Sequence, residues 1–249
     1  MYLTIQGLVL RVSNYSDTDA IITLLTKDQG KLTVKARGLR RKNSPLIAPC
    51  QLLAFGEFTL FEHRGLYTIN EANAIELFHS LRKDLTRFSL GTYFAQVAEV
   101  LSQEDLPNPE LLSLVLNCLY ALSKLDLPED QVKAVFELRS ACLSGYTPDL
   151  AACEHCENLT PDRLDISRGM VSCSTCTNTD ESGIRMPLSE GILNAMRYIT
   201  QCHPKRLFAF SLNTEAYEDL SHITEAYLCA QLERGFSVLD FYKTLKNPL

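Results

Sequence analysis

The sequence predicts an α+β protein in which a small five-stranded barrel, residues 1–78, precedes an α-helical domain, residues 79–249. Apolar residues alternate with a period of two up to about residue 78, which is typical of strands. From residue 79 onward they recur with a period of about 3.6, which is typical of helices. Two Cys-x-x-Cys pairs between residues 153 and 176 predict a metal-binding insertion, at about residues 148–186, within the helical domain.

Five strands are predicted in the first domain, with short turns between them. They cover the segment ending near residue 12 and then residues 20–26, 31–36, 51–62 and 66–77. The third alternates most clearly, because its apolar residues occupy positions 32, 34 and 36 and its basic residues positions 31, 35 and 37. Five short strands in this arrangement favour a closed OB-fold barrel. An SH3-like barrel is the main alternative, and the pattern alone does not separate the two.

Basic residues are concentrated in the predicted barrel. The net charge of the chain is −6, yet residues 1–78 carry nine Lys and Arg against seven Asp and Glu. No acidic residue occurs between Asp28 and Glu57. That interval contains the six basic residues predicted to contact nucleic-acid phosphates, which are Lys31, Lys35, Arg37, Arg40, Arg41 and Lys42. A local excess of positive charge neutralises phosphates and releases their counterions.

Aromatic residues add to this prediction, because proteins that bind single strands stack bases on aromatic rings. Tyr2, Tyr15 and Tyr67 are the candidates in the barrel sequence. The alternative interpretation of the basic stretch is a solvated loop that binds no ligand.

The helical domain is predicted to begin at residue 79, with an apolar stripe that continues to Leu101. A second helix is predicted over Leu111–Leu125 and a third from Pro128 to about residue 143, where Gly145 is a candidate C-cap. Further helices are predicted at about 189–200 and 215–233, with a short last one ending near residue 241.

The cysteine pairs predict one structural Zn²⁺ ion. Cys153, Cys156, Cys173 and Cys176 have the spacing of a four-cysteine zinc site, and four thiolates leave no open position for catalysis. A disulfide pair would need an oxidising compartment, and a redox pair would be single and would open a helix after a strand. His155 lies inside the first pair and is interpreted as a bystander. The other five cysteines are scattered among apolar residues and are predicted to be buried thiols.

Composition and motifs narrow the function further. The 46% hydrophobic and 22% charged content is typical of a globular protein, and no apolar run approaches the ~20 residues of a membrane span. The N-terminal segment lacks the features of a signal peptide, so a reducing cytoplasm is expected. The sequence contains no Gly-rich phosphate loop, no Gly-x-Ser-x-Gly and no His-Glu-x-x-His, which favours a non-enzymatic protein. The alternative function is a zinc-stabilised scaffold that binds protein partners without direct DNA contact.

Three stretches resemble a known family. They are GLVLRVSNYSDTDAIITLLTKDQGKLTVKARGLRRKNS near the N-terminus, LRSACLSGYTPDLAACEHC at the first cysteine pair and ERGFSVLDFY near the C-terminus. Within the second, Gly-Tyr-x-Pro-x-Leu-x-x-Cys-x-x-Cys is the most specific motif. Over essentially its whole length the chain resembles the bacterial recombination mediator family RecO.

The resemblance implies a non-enzymatic DNA protein with an OB-fold domain, an α-helical domain and, where the four cysteines are kept, a zinc ion. Such proteins bind single- and double-stranded DNA, anneal complementary strands and help to load recombinase onto DNA coated with single-stranded-DNA-binding protein (SSB). The implied partners are RecR and the C-terminal tail of SSB, with RecF as a further candidate, and the implied location is the cytoplasm, at the nucleoid. DNA contact is carried over to Lys35, Arg37, Arg40 and Arg41.

Overall fold

The computed structural model describes residues 1–176 and 183–246. They form two compact units, one comprising Met1–Leu125 with the chain from Phe236 onward, and the other residues 126–235. Packing therefore groups the first helices after the barrel, and the last helix, with the barrel itself. The compact units are defined by packing, so the domain boundary predicted between residues 78 and 79 stays a prediction. Part of the predicted insertion, residues 177–182, lies outside the described residues.

The first unit contains a closed five-stranded barrel, as predicted. Its strands are β1 (Tyr2–Asn14), β2 (Ala20–Thr26), β3 (Lys31–Ala36), β4 (Phe55–His63) and β5 (Leu66–Glu76). The order around the barrel is β1-β2-β3-β5-β4, and β1 pairs with both β2 and β4. Every pairing is antiparallel except β3 with β5, which are parallel and share only Val34↔Tyr67 and Lys35↔Thr68. This is an OB-like barrel.

The barrel core accounts for the alternation of apolar and polar residues along the strands. Ile22, Val34, Phe58 and Leu60 are fully buried in it, so residues two apart on each strand share the interior. The intervening positions on β3 and β4 face outward, and these carry the basic and aromatic residues of the candidate site.

In the described part of the chain, six α-helices follow the barrel: α1 (Leu85–Leu101), α2 (Pro109–Lys124), α3 (Glu129–Leu143), α4 (Glu190–Gln201), α5 (Thr214–Gln231) and α6 (Ser237–Lys246). In the first unit, α1 packs against β1, β2, α2 and α6. Strand β1 is consequently buried on both sides, since Leu8 and Leu10 lie outside the barrel core yet are 0% and 3% exposed. Among the helices of the described residues, none combines the length and hydropathy that a membrane span requires.

Several predicted boundaries were wrong, and the last helix continues to Lys246 instead of ending near residue 241. The fourth strand begins at Phe55, not at residue 51, because Leu53 has a φ of 65° and cannot continue a strand. Leu53 N–H instead donates to the Val9 carbonyl at 2.9 Å. The helix predicted from residue 79 is divided into a 3₁₀ turn, Leu81–Lys83, and α1, because the side chain of Asp84 accepts a hydrogen bond from Arg87 N–H at 3.0 Å and caps α1.

The second unit packs α4 and α5 against α3 and carries a three-stranded antiparallel sheet. Its strands are β6 (Arg163–Asp165), β7 (Met170–Ser172) and β8 (Arg185–Pro187), in the order β7-β6-β8. Helix α3 ends at Leu143, as predicted, and Gly145 follows the C-cap residue Ser144 with a φ of 89°. Gly145 N–H donates to the Cys142 carbonyl, and Tyr146 N–H to the Ala141 carbonyl, which is the Schellman arrangement.

A buried ionic cluster joins α3 to α5. Lys133 Nζ lies 2.9 Å from Glu137 Oε1 and 2.9 Å from Glu225 Oε2, and it also donates to the Ser221 carbonyl. Burial opposes the charge on Lys133, but the two carboxylates raise its pKa. Burial also raises the pKa of Glu137, although Lys133 partly offsets this. The cluster therefore fixes the register of two helices by satisfying charges that would be costly if unpaired.

Candidate nucleic-acid interface and metal centre

The four predicted cysteine ligands come together in the second unit. Sγ atoms of Cys153, Cys156, Cys173 and Cys176 all lie within 4.8 Å of one another. Cys153 and Cys156 come from a turn after Leu150, and Cys173 and Cys176 from the turn that follows β7. Four thiol donors converging on one point fit a metal ion, and they are not paired as disulfides.

Backbone N–H groups favour the thiolate form of Cys153. Cys173 N–H donates to Cys153 Sγ at 3.2 Å, and Asn158 Nδ2 donates to Cys173 Sγ at 3.2 Å. Burial would raise the pKa of Cys153, but hydrogen bonds from the backbone of His155, Cys156 and Cys173 lower it to about 6. The turn is closed by Glu157, which has a φ of 58° and donates its N–H to the Cys153 carbonyl at 3.0 Å. Ionisation is thus favoured at Cys153, whereas the hydrogen bond with Cys156 raises the pKa of Cys176 to about 11.

Helix α4 holds this turn by its backbone, and α5 holds the segment that leads to the second pair. Arg197 of α4 donates from Nε to the Leu150 carbonyl and from Nη2 to the Ala151 and Leu159 carbonyls, each at 2.8 Å. These carbonyls flank the first cysteine pair on both sides. Gln231 of α5 donates to the Ile166 carbonyl at 2.9 Å, on the segment that leads to the second pair.

The predicted basic residues do not all lie at one surface. Lys31 Nζ donates to the Glu99 carbonyl on α1 at 2.9 Å, so its charge is directed toward that helix. Lys35 Nζ lies 3.1 Å from Asp19 Oδ2 and 4.5 Å from the centre of the Tyr15 ring. Arg37, Arg40, Arg41 and Lys42 are exposed, and Arg40 Nη1 donates to the Ser16 carbonyl at 2.7 Å.

Arg37 is at the centre of the exposed basic residues. Three depressions of about 500, 310 and 420 Å³ lie on the barrel, and Arg37 lines all of them. The largest, here called the seam cleft, crosses the β3–β5 pairing and is bordered by Tyr15, Phe61, His63 and Tyr67. The second contains Tyr2 and Phe61. The third is lined by Arg41 and the loop that continues from it.

Two aromatic residues of this surface, Phe61 and His63, were missed in the sequence. Their ring centroids are 6.5 Å apart and their planes differ by 6°, while Tyr2 on the neighbouring strand lies 5.3 Å from Phe61. The alternation of β4 could have identified them, since they are two residues apart and opposite in phase to the buried Phe58 and Leu60. The predicted Tyr2, Tyr15 and Tyr67 do border these depressions.

Asp19 lies beside the seam cleft and contacts two segments that border it. Its carboxylate accepts a hydrogen bond from Gly38 N–H at 2.9 Å and pairs with Lys35. The Gly38 N–H, together with Lys35, lowers the pKa of Asp19. The Asp19 carbonyl accepts from the N–H groups of Tyr15 and Ser16, at 3.1 and 3.2 Å. One residue therefore joins the β1–β2 turn, which carries Tyr15, to the start of the basic loop.

Comparison with known proteins agrees with this architecture. A family model described as Recombination protein O N terminal matches residues 1–78, and one described as Recombination protein O C terminal matches residues 82–240. The DNA repair protein RecO of Acetivibrio thermocellus is 34% identical, over 98% of this chain and 97% of that protein. The proteins of the same name from Symbiobacterium thermophilum and Bacillus subtilis are 30% and 28% identical, over 98% and 89% of this chain and 97% and 86% of theirs. The chain therefore belongs to the RecO family of DNA repair proteins.

Proposed function

We propose that this protein is a non-enzymatic DNA-binding mediator of recombinational repair. It binds single- and double-stranded DNA, anneals complementary strands and helps to load recombinase onto SSB-coated DNA. The observation that carries this proposal is the position of Arg37, which borders three adjoining depressions between the basic loop and a group of exposed aromatic rings. Membership of a family of DNA repair proteins supports it.

The phosphate contacts are Arg37, Arg40, Arg41 and Lys42. All four are exposed, and they follow one another at the end of β3 and in the loop after it. A row of cations along one surface matches the regular charge of a DNA backbone and gains affinity by releasing counterions. Among the described residues that line the three depressions none is acidic, whereas a metal-dependent nuclease needs carboxylates beside the phosphate.

The ion at the cysteine centre is zinc, and its role is structural. In a tetrahedron with Zn–S bonds of about 2.3 Å, neighbouring sulfurs are about 3.8 Å apart. Cys156 Sγ and Cys173 Sγ are 3.8 Å apart. Four thiolates complete the coordination, so the ion joins the two turns and contributes folding energy.

The proposed partners are RecR, the C-terminal tail of SSB and RecF, and the proposed location is the cytoplasm, at the nucleoid. Both the partners and the location are inferred from membership of the family and not from a particular surface of the protein. An alternative is a scaffold that binds only protein partners and is stabilised by zinc.

Charge reversal separates the two functions. In the triple variant Arg37→Glu, Arg40→Glu, Arg41→Glu, we expect affinity for single- and double-stranded oligonucleotides to fall at least tenfold. The dependence of log K on log salt should become shallower by about 0.7 per lost contact on single strands and about 0.9 on duplex. Lys27→Glu, Lys124→Glu, Lys205→Glu is the matched control, because these three lysines are exposed and outside the depressions. Fluorescence anisotropy titrations at two salt concentrations measure both quantities, and unchanged affinity and slope in the Arg variant favour the scaffold.

A further inference from the structure

The seam cleft differs from the rest of the basic surface in chemistry. Aromatic rings border it, and several are accessible, since Tyr15 is 62% and Phe61 41% exposed. Its volume of about 500 Å³ is within the usual range of small-molecule sites, which is ~300–1,000 Å³. Arg37 lies at its border, so a ligand with a flat apolar part and a negative charge is complementary to it.

We propose that the seam cleft binds unpaired nucleobases and so makes the barrel selective for single strands over duplex. This rests on the proposed function, because it assumes that the phosphates of the same strand are held by Arg37 and the basic loop. A base exposes its π-face only when it is unstacked, and aromatic side chains then stack on it without reading its identity. In a duplex the faces are covered by neighbouring base pairs, so only the phosphates remain available.

Lys35 has a different role from the other cations of the surface: it positions Tyr15. Its ammonium group is paired with Asp19 at 3.1 Å and lies 4.5 Å from the centre of the Tyr15 ring. The carboxylate offsets its charge, and the cation–π contact holds the ring at the edge of the cleft. Lys35 therefore contributes to base stacking through Tyr15 and not to neutralisation of phosphates.

Abasic DNA tests the base contact directly. Three probes of about 16 nucleotides are compared: oligo-dT, a strand of the same length with abasic sites throughout, and a duplex. We expect Tyr15→Ala combined with Phe61→Ala to lower affinity for oligo-dT by about five- to a hundredfold. Affinity for the abasic strand and for the duplex should stay within twofold of that of the wild type. Tyr15→Phe should retain the affinity of the wild type, since it keeps the ring.

The controls distinguish this inference from the proposed function. Tyr120→Ala removes a similarly exposed ring from α2, and it should change none of the three affinities. Equal losses on oligo-dT and abasic DNA in the Tyr15/Phe61 variant, or no loss on either, overturn the inference while DNA binding by the arginines stands. Failure of the Arg37/Arg40/Arg41 variant to weaken binding overturns the proposed function instead.

Salt dependence tests the role of Lys35. Lys35→Met should lower affinity for oligo-dT but leave the salt slope and the affinity for the abasic strand unchanged. Arg37→Met should make the slope shallower by about 0.7 on every single strand. A Lys35→Met variant with the slope of Arg37→Met would show that Lys35 contacts phosphate and would overturn the positioning role.

Discussion

At the scale of single residues, Arg197 shows how the metal centre depends on a side chain that is not a ligand. Its guanidinium makes three hydrogen bonds of 2.8 Å to carbonyls on either side of the first cysteine pair. These hydrogen bonds restrain the backbone of the turn that carries Cys153 and Cys156. Supporting residues of this kind tune metal affinity without touching the metal.

Replacing Arg197 should therefore loosen the site. We expect Arg197→Met to release metal to a chromogenic chelator at least tenfold faster than the wild type and to lower the free energy of unfolding by about 2 kcal/mol, because charged hydrogen bonds to three carbonyls are lost. Arg206→Met, at an exposed position on the segment after α4, is the control. If Arg197→Met released metal at the rate of the wild type, the turn would keep its conformation without the hydrogen bonds from Arg197.

Asp19 gives a prediction about pH. Its pKa is lowered in the folded protein, so its stabilising effect is complete above the unfolded pKa of about 3.9 and is lost as the pH falls through the folded value. The stability difference between wild type and Asp19→Asn should be constant near neutral pH and should shrink below about pH 4. Urea unfolding across that range measures it. A difference that grows on acidification contradicts the assignment.

The residues of the site were predictable from the sequence to different degrees. The convergence of the four cysteines followed from their spacing alone, because two turns can bring four sulfurs together wherever the helices lie. The basic residues followed from charge density, but not their partners: Lys31 is bonded to Glu99, 68 positions away in the chain. Such long-range contacts leave no local pattern. Phe61 and His63, in contrast, were marked by the alternation of β4 and could have been found.

At the scale of elements, backbone geometry decides where strands and helices end. The sequence around residues 51–54 is apolar enough for a strand, yet Leu53 adopts a φ of 65° and delays β4 to Phe55. Gly145 was predictable as the end of α3 because a glycine follows the apolar stripe, and its φ of 89° confirms the prediction. In a sequence, a glycine after a helical stripe indicates a residue with positive φ, whereas a leucine that adopts positive φ gives no such signal.

The C-cap of α3 can be tested with a matched pair of glycines. We expect Gly145→Ala to lower the free energy of unfolding by about 1–2 kcal/mol, because alanine is strained at a positive φ. A Cβ atom at residue 145 would meet nothing within 4 Å, so the cost is one of backbone conformation alone. Gly235→Ala is the control, since its Cβ also meets nothing and its φ is not in the left-handed region. Equal effects of the two variants in thermal unfolding would refute this explanation.

At the scale of the whole molecule, the two parts of the site lie in different compact units. The cysteine centre belongs to residues 126–235 and the basic surface to the barrel unit. The metal is therefore predicted to act on stability first and on DNA affinity only as a consequence.

Removal of the metal tests that separation. We expect chelation, or Cys173→Ser, to lower the thermal midpoint of the second unit, because a metal ion held by the four cysteines would join the turn after Leu150 to the turn that follows β7. Below the new midpoint, affinity for oligo-dT should remain within twofold of that of the wild type. Circular dichroism and anisotropy on the same samples measure both. A metal-free protein with an unchanged midpoint would show that the ion is dispensable for folding.

The two-residue pairing of β3 with β5 has a consequence for motion. It is the shortest pairing in the barrel, so it is the place where the ring of strands opens at the lowest free energy. All four of its residues, Val34, Lys35, Tyr67 and Thr68, line the seam cleft. A DNA strand bound in the seam cleft would contact both β3 and β5 and would therefore stabilise their pairing. Amide hydrogens of β3 and β5 should then exchange with solvent more slowly when oligo-dT is bound, and those of the β1–β2 pairing should exchange as before.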